Sequence, residues 1–472
     1  MNSGRAQEAP PSGGELVPGA SQIGFFGSGA STNRRLRGPG GRSPRPSPGR
    51  RDVALLRVLA RAVGLLATSL REALELPLVC LAGLRKRGKG SAVEVLLRRL
   101  PGFCERLGGA FPKIGQILST RADLLSEEVC RSLGRLQDEV GSLPQSDLEK
   151  CLQDCGALEN FREIARVPVA SATIAQVHSA LRIDDGRRVA LKVMRPGVRA
   201  RLARDCVLAR AVGRVVARLP RLRSVPVQDA LEEASELLLA QTDFRREASN
   251  LERLGAAFAG VEGVLVPALH PDRCSDAVLC MDFIPGMRKL SDPGLSEQEA
   301  RTALTFGVRA LYRMIFSEGF IHCDMHPGNV LLAPDGRVVI LDAGFMAELD
   351  EGTRKAFAEF FLAIAFRDGR AAARIVRETA TRLPATLNVE AFDQDIGELI
   401  ARVGGLRARE FQVAAFVADL FAIQRKHRIY GTSKFTLTIL SLLVYEGVAK
   451  ARFPDLDFQR ESIPFALAAL AN

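Results

Sequence analysis

Tryptophan is absent from this 472-residue chain and tyrosine occurs three times, so it lacks the interleaved aromatic and basic residues on which single-stranded nucleic acids stack. Paired cysteines are missing as well. The nine Cys (80, 104, 130, 151, 155, 206, 274, 280, 323) are odd in number and scattered, with no C-x-x-C, which argues against a disulfide framework and points to a reducing compartment. Cys151 and Cys155, four residues apart, suit one face of a helix rather than a metal pair. No apolar run reaches the roughly 20 residues a bilayer requires: Arg57, Arg61 and Arg71 interrupt the stretch that begins at Val53, and Phe435 to Tyr445 is too short. There is no internal repeat and no signal-peptide core, and the Gly and Pro density of the first residues argues against a presequence helix. A cytoplasmic protein is expected. The amphipathic stretch over 53–72 leaves peripheral contact with a membrane open.

What is present is a globular composition, 47% hydrophobic and 25% charged. Single cores stop growing at roughly 250–300 residues, so two lobes are expected. The net charge of +11 is unevenly spread: residues 1–51 hold eight Arg against two Glu. Residues 1–52 therefore read as a basic tail rich in Gly, Pro and Ser that buries too little to fold, and specific nucleic-acid binding is not expected.

Residues 53–160 read as helices. The period then changes: "TIAQVHSALRIDDGRRVALKVMRPG" alternates on either side of Asp184-Asp185-Gly186, a hairpin signal. Val189, Leu191 and Val193 share one face of its second strand, and Ala190, Lys192 and Met194 the other. A lysine among apolar neighbours needs a partner, and Glu247, in the helical segment near Asp243, is a candidate. Residues 264–283 read as two strands with a turn. The organisation expected is a small β-rich lobe with a helical insert over 161–286 and a helical lobe over 287–472.

The stretch "IHCDMHPGNVLL" (321–332) interrupts that last region, followed by "APDGRVVILDAGF". Short strands at 330–332 and 338–341, joined by a turn at Pro334-Asp335-Gly336, bring Asn329 and Asp342 side by side. Three readings compete. His322, Cys323 and His326 suggest zinc, although Pro327-Gly328 breaks any helix that would align them. A polar turn capping a strand explains Asn329 and Asp342 but leaves Lys192 unexplained. A phosphoryl-transfer loop uses them all: Asp324 accepts or orients a hydroxyl proton, Asn329 and Asp342 hold Mg2+, which takes one or two protein oxygens plus phosphate and water, and Lys192 takes nucleotide phosphate.

With "KIGQILSTRADLL", "PVASATIAQVH", "VALKVMRPG", "DFRREASN" and "HCDMHPGN" in this order, the chain resembles the UbiB/ADCK (aarF-domain) atypical kinases over about residues 85–450. The resemblance implies an α+β, bilobal protein-kinase-like fold with a small β-rich N-lobe, a helical C-lobe and a helical N-terminal extension carrying the KxGQ motif at Lys113 and Gln116. It implies ATP and Mg2+ as cofactors, with Asp324, Lys192 and Glu247 as catalytic residues and Asn329 and Asp342 at the metal. Ala170, Ser171, Ala172, Thr173, Lys192, Met281 and Phe283 would contact nucleotide, with Lys113 and Gln116 lining the pocket from above. It further implies ATPase or kinase activity in support of a quinone-type lipid pathway, with a lipid or quinone precursor as partner. The runners-up are a small-molecule phosphotransferase of aminoglycoside-kinase type and a nucleotide-binding pseudokinase scaffold. Departures from the family pattern are Asp342-Ala343-Gly344 in place of DFG, Gln241-Thr242-Asp243 in place of ExD, and Cys323 and Met325 in place of Ala and Pro.

Overall fold

A computed structural model of the chain describes residues 60–68, 71, 92–136, 142–218, 227–404, 406 and 408–471; the expected tail at 1–52 and much of the helix read after Val53 lie outside them. Where the first third is described it is helical, as its spacing predicts: residues 60–68, then α1 (Ala92–Leu107), α2 (Phe111–Ser119), α3 (Glu127–Leu133) and α4 (Gln145–Asp154). Gly108 and Gly109, both near φ +60°, turn the chain between α1 and α2. A side chain at Gly109 would collide with the Asp205 carboxylate.

The small lobe follows: β1 (Phe161–Arg162), β2 (Ala170–Ser171), β3 (Ala175–Arg182) and β4 (Arg188–Met194), then α5 (Val198–Val216), α6 (Val227–Ala240), α7 (Phe244–Ala257), β5 (Val264–Leu265) and β6 (Val278–Asp282). The hairpin expected at Asp184-Asp185-Gly186 forms, with β3 and β4 paired from Ala175–Met194 to Leu181–Arg188 and Gly186 at φ +67°. The sheet order is β1-β3-β4-β6, with β2 on β3.

Both sheet faces are covered, which explains why β4 carries apolar residues on both faces, Lys192 being the exception in its interior. Val189, Leu191 and Val193 pack with Leu148 and Leu152 of α4, while Ala190 and Met194 join the main core. The alternation read from the sequence is therefore real. Lys192 lies on the main-core face.

The large lobe runs through β7 (Arg288–Lys289), α8 (Glu297–Tyr312), a π-helical turn (Arg313–Glu318), β8 (Phe320–His322), β9 (Val330–Leu332), β10 (Val338–Ile340), β11 (Met346–Glu348), α9 (Glu351–Ala365), α10 (Gly369–Glu378), β12 (Ala380–Arg382), α11 (Val389–Val403), α12 (Val413–His427), β13 (Tyr430–Gly431), α13 (Ser433–Lys450) and α14 (Phe458–Ala471). A full capping box, Ser296 with Glu299, starts α8. The two strands expected over 264–283 exist but are not one hairpin: β5 runs parallel to β10, whereas β6 pairs with β4. The segment between them crosses from one sheet to the other and runs beside β6, bridged at Leu269–Met281 and tied by the His270 amide to the Cys280 carbonyl at 2.8 Å and the Asp282 amide to the Ala268 carbonyl at 2.9 Å. Among the described residues no helix is long and apolar enough to cross a membrane. The apolar run from Phe435 instead lies inside α13, where Tyr445 is fully buried and donates to the Leu304 carbonyl at 3.1 Å; burial of such a ring is worth roughly 2–3 kcal/mol.

Candidate active site

Three distant elements meet at Lys192. Its Nζ lies 2.6 Å from Glu247 Oε1 and 2.8 Å from Asp342 Oδ2. Lys192 is mid-strand on β4, Glu247 is in the first turn of α7, and Asp342 follows β10. The partner expected for the strand lysine is found, together with a second one. Asp243 explains where α7 begins: its carboxylate accepts from the Arg246 amide and caps the helix that carries Glu247.

The electrostatics follow from burial and proximity. Burial works against the Lys192 charge, but its two carboxylate neighbours more than compensate and raise it above the ordinary lysine value. Glu247 is only 2% exposed, its Oε2 has no hydrogen-bond partner, and burial pushes its carboxyl up to about 7 even beside Lys192. Partial desolvation also opposes charge on Asp342, yet Lys192 and the Gly344 amide hold that carboxyl well below its ordinary range. Since 40% of the Asp342 side chain is open to solvent, that depression is damped.

Asp342 adopts a left-handed backbone, φ +55°, a conformation that costs energy but that Asp tolerates better than most residues. Local bonds hold it there. Its Oδ1 accepts from the Gly344 amide at 2.9 Å, and Asn250 Nδ2 donates to the Ala343 carbonyl at 2.8 Å. A Cβ at Gly344 would stand 3.0 Å from Asp342 Oδ1 and 3.5 Å from Glu247 Oε2, so glycine lets the turn close over both carboxylates. Ala343 is fully buried.

The loop before β9 faces the same hairpin. β9 and β10 pair Val330 with Ile340, and the Leu341 amide donates to the Asn329 carbonyl at 2.8 Å, which places Asn329 beside the residue preceding Asp342, as the turn predicts. Asn329 Nδ2 donates to the Asp324 carbonyl at 3.0 Å, so the side-chain oxygen is the atom Asn329 can offer a cation. His322 is fully buried and locks the loop to the strand. Its Nδ1 accepts from the Asp324 amide at 3.1 Å, so Nε2 carries the proton and donates to the Leu341 carbonyl at 3.1 Å. Both ring nitrogens are thus committed, and the zinc reading loses its first ligand. Among the described residues no group of three or more His, Cys, Asp or Glu is arranged to hold a metal. Magnesium needs no such group: one or two protein oxygens suffice where phosphate supplies others, and Asn329 with Asp342 meets that requirement. Cys323 and Met325 are buried in the main core.

The remaining residues expected at the site divide. The Ala170–Thr173 loop is stapled to the end of β4: Arg195 Nε donates to the Ala172 carbonyl at 2.8 Å and its NH2 to Ser171 Oγ at 2.9 Å. The loop is held stiff, and the Ser171 hydroxyl is already engaged. Met281 is buried opposite Ala190 in the sheet, and Phe283 packs against the main core. Lys113 and Gln116 lie on α2, but Gln116 Nε2 donates to the Leu136 carbonyl at 3.2 Å, so its amide is held within the extension rather than by the Lys192 cluster. Asn250 and Arg195 were not singled out in the sequence. Asn250 stands three residues after Glu247, a spacing that shares a helix face, and Arg195 stands three after Lys192. Ser441, whose hydroxyl donates to the His322 carbonyl at 2.7 Å from 119 residues away, gives no signal in the sequence.

Known proteins show which family and fold the chain has. The family model for the ABC1 atypical kinase-like domain matches residues 135–376. The probable protein kinase UbiB of Vibrio parahaemolyticus is 32% identical over 373 residues, covering 76% of this chain and 68% of that protein. That of Erwinia tasmaniensis is 31% identical over 383 residues, covering 79% and 70%. Among solved structures, Rv3197 of Mycobacterium tuberculosis, determined with erythromycin, aligns at a TM-score of 0.51 with 20% identity, covering 84% of this chain and 96% of that one; it supports the fold alone, an α+β, bilobal, kinase-like one. From its domain match, its relatives and its fold, the chain belongs to the ABC1 atypical kinase-like family and is of UbiB type.

Proposed function

We propose that the chain is an ATP- and Mg2+-dependent atypical kinase or ATPase that supports a quinone-type lipid pathway. The observation that carries this reading is the meeting of Lys192 with Glu247 and Asp342 at 2.6 and 2.8 Å, beside the hairpin that presents Asn329. In this reading Glu247 aims the Lys192 ammonium at nucleotide phosphate, and Asn329 and Asp342 hold magnesium. When bound, the ion neutralises phosphate charge. Asp324, its side chain 40% exposed and its Oδ2 3.8 Å from His326 Nε2, takes or orients the proton of the attacking hydroxyl or water. The stapled Ala170–Thr173 loop covers the phosphates with backbone amides on a rigid frame. Met281 and Phe283 flank the base, and Lys113 and Gln116 belong to the extension that roofs the site. Support for the pathway comes from the UbiB name borne by relatives at 31–32% identity.

Phosphate release from Mg-ATP, measured with and without membrane lipids or quinone-like phenols, tests the reading. Wild type should turn over above an Asp324→Asn control, which should lose about 10²-fold or more. Equal, negligible release from both proteins would replace the enzyme by a nucleotide-binding scaffold.

A further inference from the structure

Residues 52–472 carry a net charge of +5, and α5 alone, with five Arg and one Asp, accounts for +4 of it. Its single acid is turned inward. Asp205 accepts from the Ala110 amide at 2.9 Å and from Arg61 Nε at 2.8 Å, and Arg61 also donates to the Leu107 carbonyl at 2.7 Å. That clamp fixes the 60–68 helix against α5 and the start of α2.

The outward face is unusual. Arg204, Val207, Ala211 and Arg214 recur at three- and four-residue spacing and form one stripe, which Arg218 extends just past the helix end. Val207 and Val215 are 60% and 61% exposed, and on the clamped 60–68 helix Leu66 is 69% exposed. Among the described residues none of Arg199, Arg201, Arg204, Arg214 and Arg218 is ion-paired; Arg204 reaches only its own helix, at the Ala200 carbonyl. α6 packs on the other side, where Leu231 meets Gly213, and its Glu233 is taken by Arg121.

We infer that the outer face of α5, with the 60–68 helix beside it, is a docking surface for an anionic lipid bilayer. Unpaired arginines match lipid phosphate, and the valines among them, with Leu66 exposed on the neighbouring helix, match the acyl boundary beneath it. A nucleic-acid groove would leave those aliphatic side chains without a partner, and the stripe has no aromatic residue on which bases could stack. The inference deepens the lipid-pathway reading by naming the surface that meets the membrane. Its test contains no nucleotide, so the two readings fail separately.

The test is flotation of the full chain with phosphatidylcholine vesicles, with and without phosphatidylglycerol, at low and high salt. Wild type should bind the anionic vesicles and not the neutral ones. The triple variant Arg204→Gln/Arg214→Gln/Arg218→Gln should bind at least about tenfold more weakly, and Val207→Ser/Val215→Ser should bind more weakly with an unchanged salt dependence. Thermal midpoints of both should stay close to wild type, because Val207, Arg214, Val215 and Arg218 are exposed and the half-buried Arg204 reaches only a carbonyl of its own helix. No binding to anionic vesicles, a triple variant that binds like wild type, or heparin binding that needs the same arginines while the valine variant keeps full vesicle binding would each overturn it.

Discussion

Asn250 is the residue whose importance depends most on tertiary contact. It joins the helix of Glu247 to the Ala343 carbonyl at 2.8 Å and so restrains a turn in which Asp342 sits at φ +55°. Replacing it by Ala removes one hydrogen bond, worth about 1 kcal/mol of stability, but frees the turn that sets the Asp342 carboxylate, the proposed magnesium ligand. Asn250→Ala should raise the magnesium concentration for half-maximal phosphate release roughly tenfold while leaving ATP binding without magnesium unchanged, which a titration of activity against Mg2+ checks. Glu247 makes the pH dependence of the fold specific. Its carboxyl stands at about 7 in the folded chain against an ordinary 4.5, so the folded state holds its proton more tightly than the unfolded one. Its stabilising contribution is then full below about 4.5 and is lost as pH rises through about 7. Wild type should lose roughly 1–3 kcal/mol across that window relative to Glu247→Gln, seen as a falling thermal midpoint in wild type only. The depressed Asp342 works in the opposite direction, losing its contribution only in acid.

At the scale of elements, the segment after α2 ties the extension to the rest of the chain. Arg121 binds Asp123 through bonds of 2.9 and 2.8 Å and also pairs with Glu233 of α6, while Arg425 of α12 donates to the Ala122 carbonyl. Arg121 is 5% exposed, and removing it would leave two carboxylates short of a partner. Arg121→Ala should cost about 3–5 kcal/mol, measurable as a lower denaturant midpoint. Element types were legible in the sequence where the period was clean: the β3–β4 hairpin, its two faces and the β9–β10 turn follow from alternation and turn chemistry. Pairing between distant strands was not. Over 264–283 the local pattern could not show that β5 would leave its neighbour for β10, because alternation specifies a face and not a partner.

Over the whole molecule, the order of the motifs disclosed the family and the fold, while the distances between them support the site proposed for its chemistry. Lys192 and Asp342 are 150 residues apart and Arg425 and Ala122 are 303 apart, and no periodicity reports contacts of that span. Cys323 and Met325, two departures in the loop, are buried in the main core, so they change its packing. What the lobes share is a cation, Lys192, held by one carboxylate from the small lobe's helix and one from the large lobe's turn. The measurement that tests this most directly is calorimetric titration of ATP, with and without Mg2+, into wild type, Lys192→Ala and Asp342→Asn. Binding that magnesium strengthens in wild type, that is lost with Lys192→Ala, and that magnesium no longer strengthens in Asp342→Asn is the predicted result; three proteins that bind alike, or a wild type indifferent to magnesium, would contradict it.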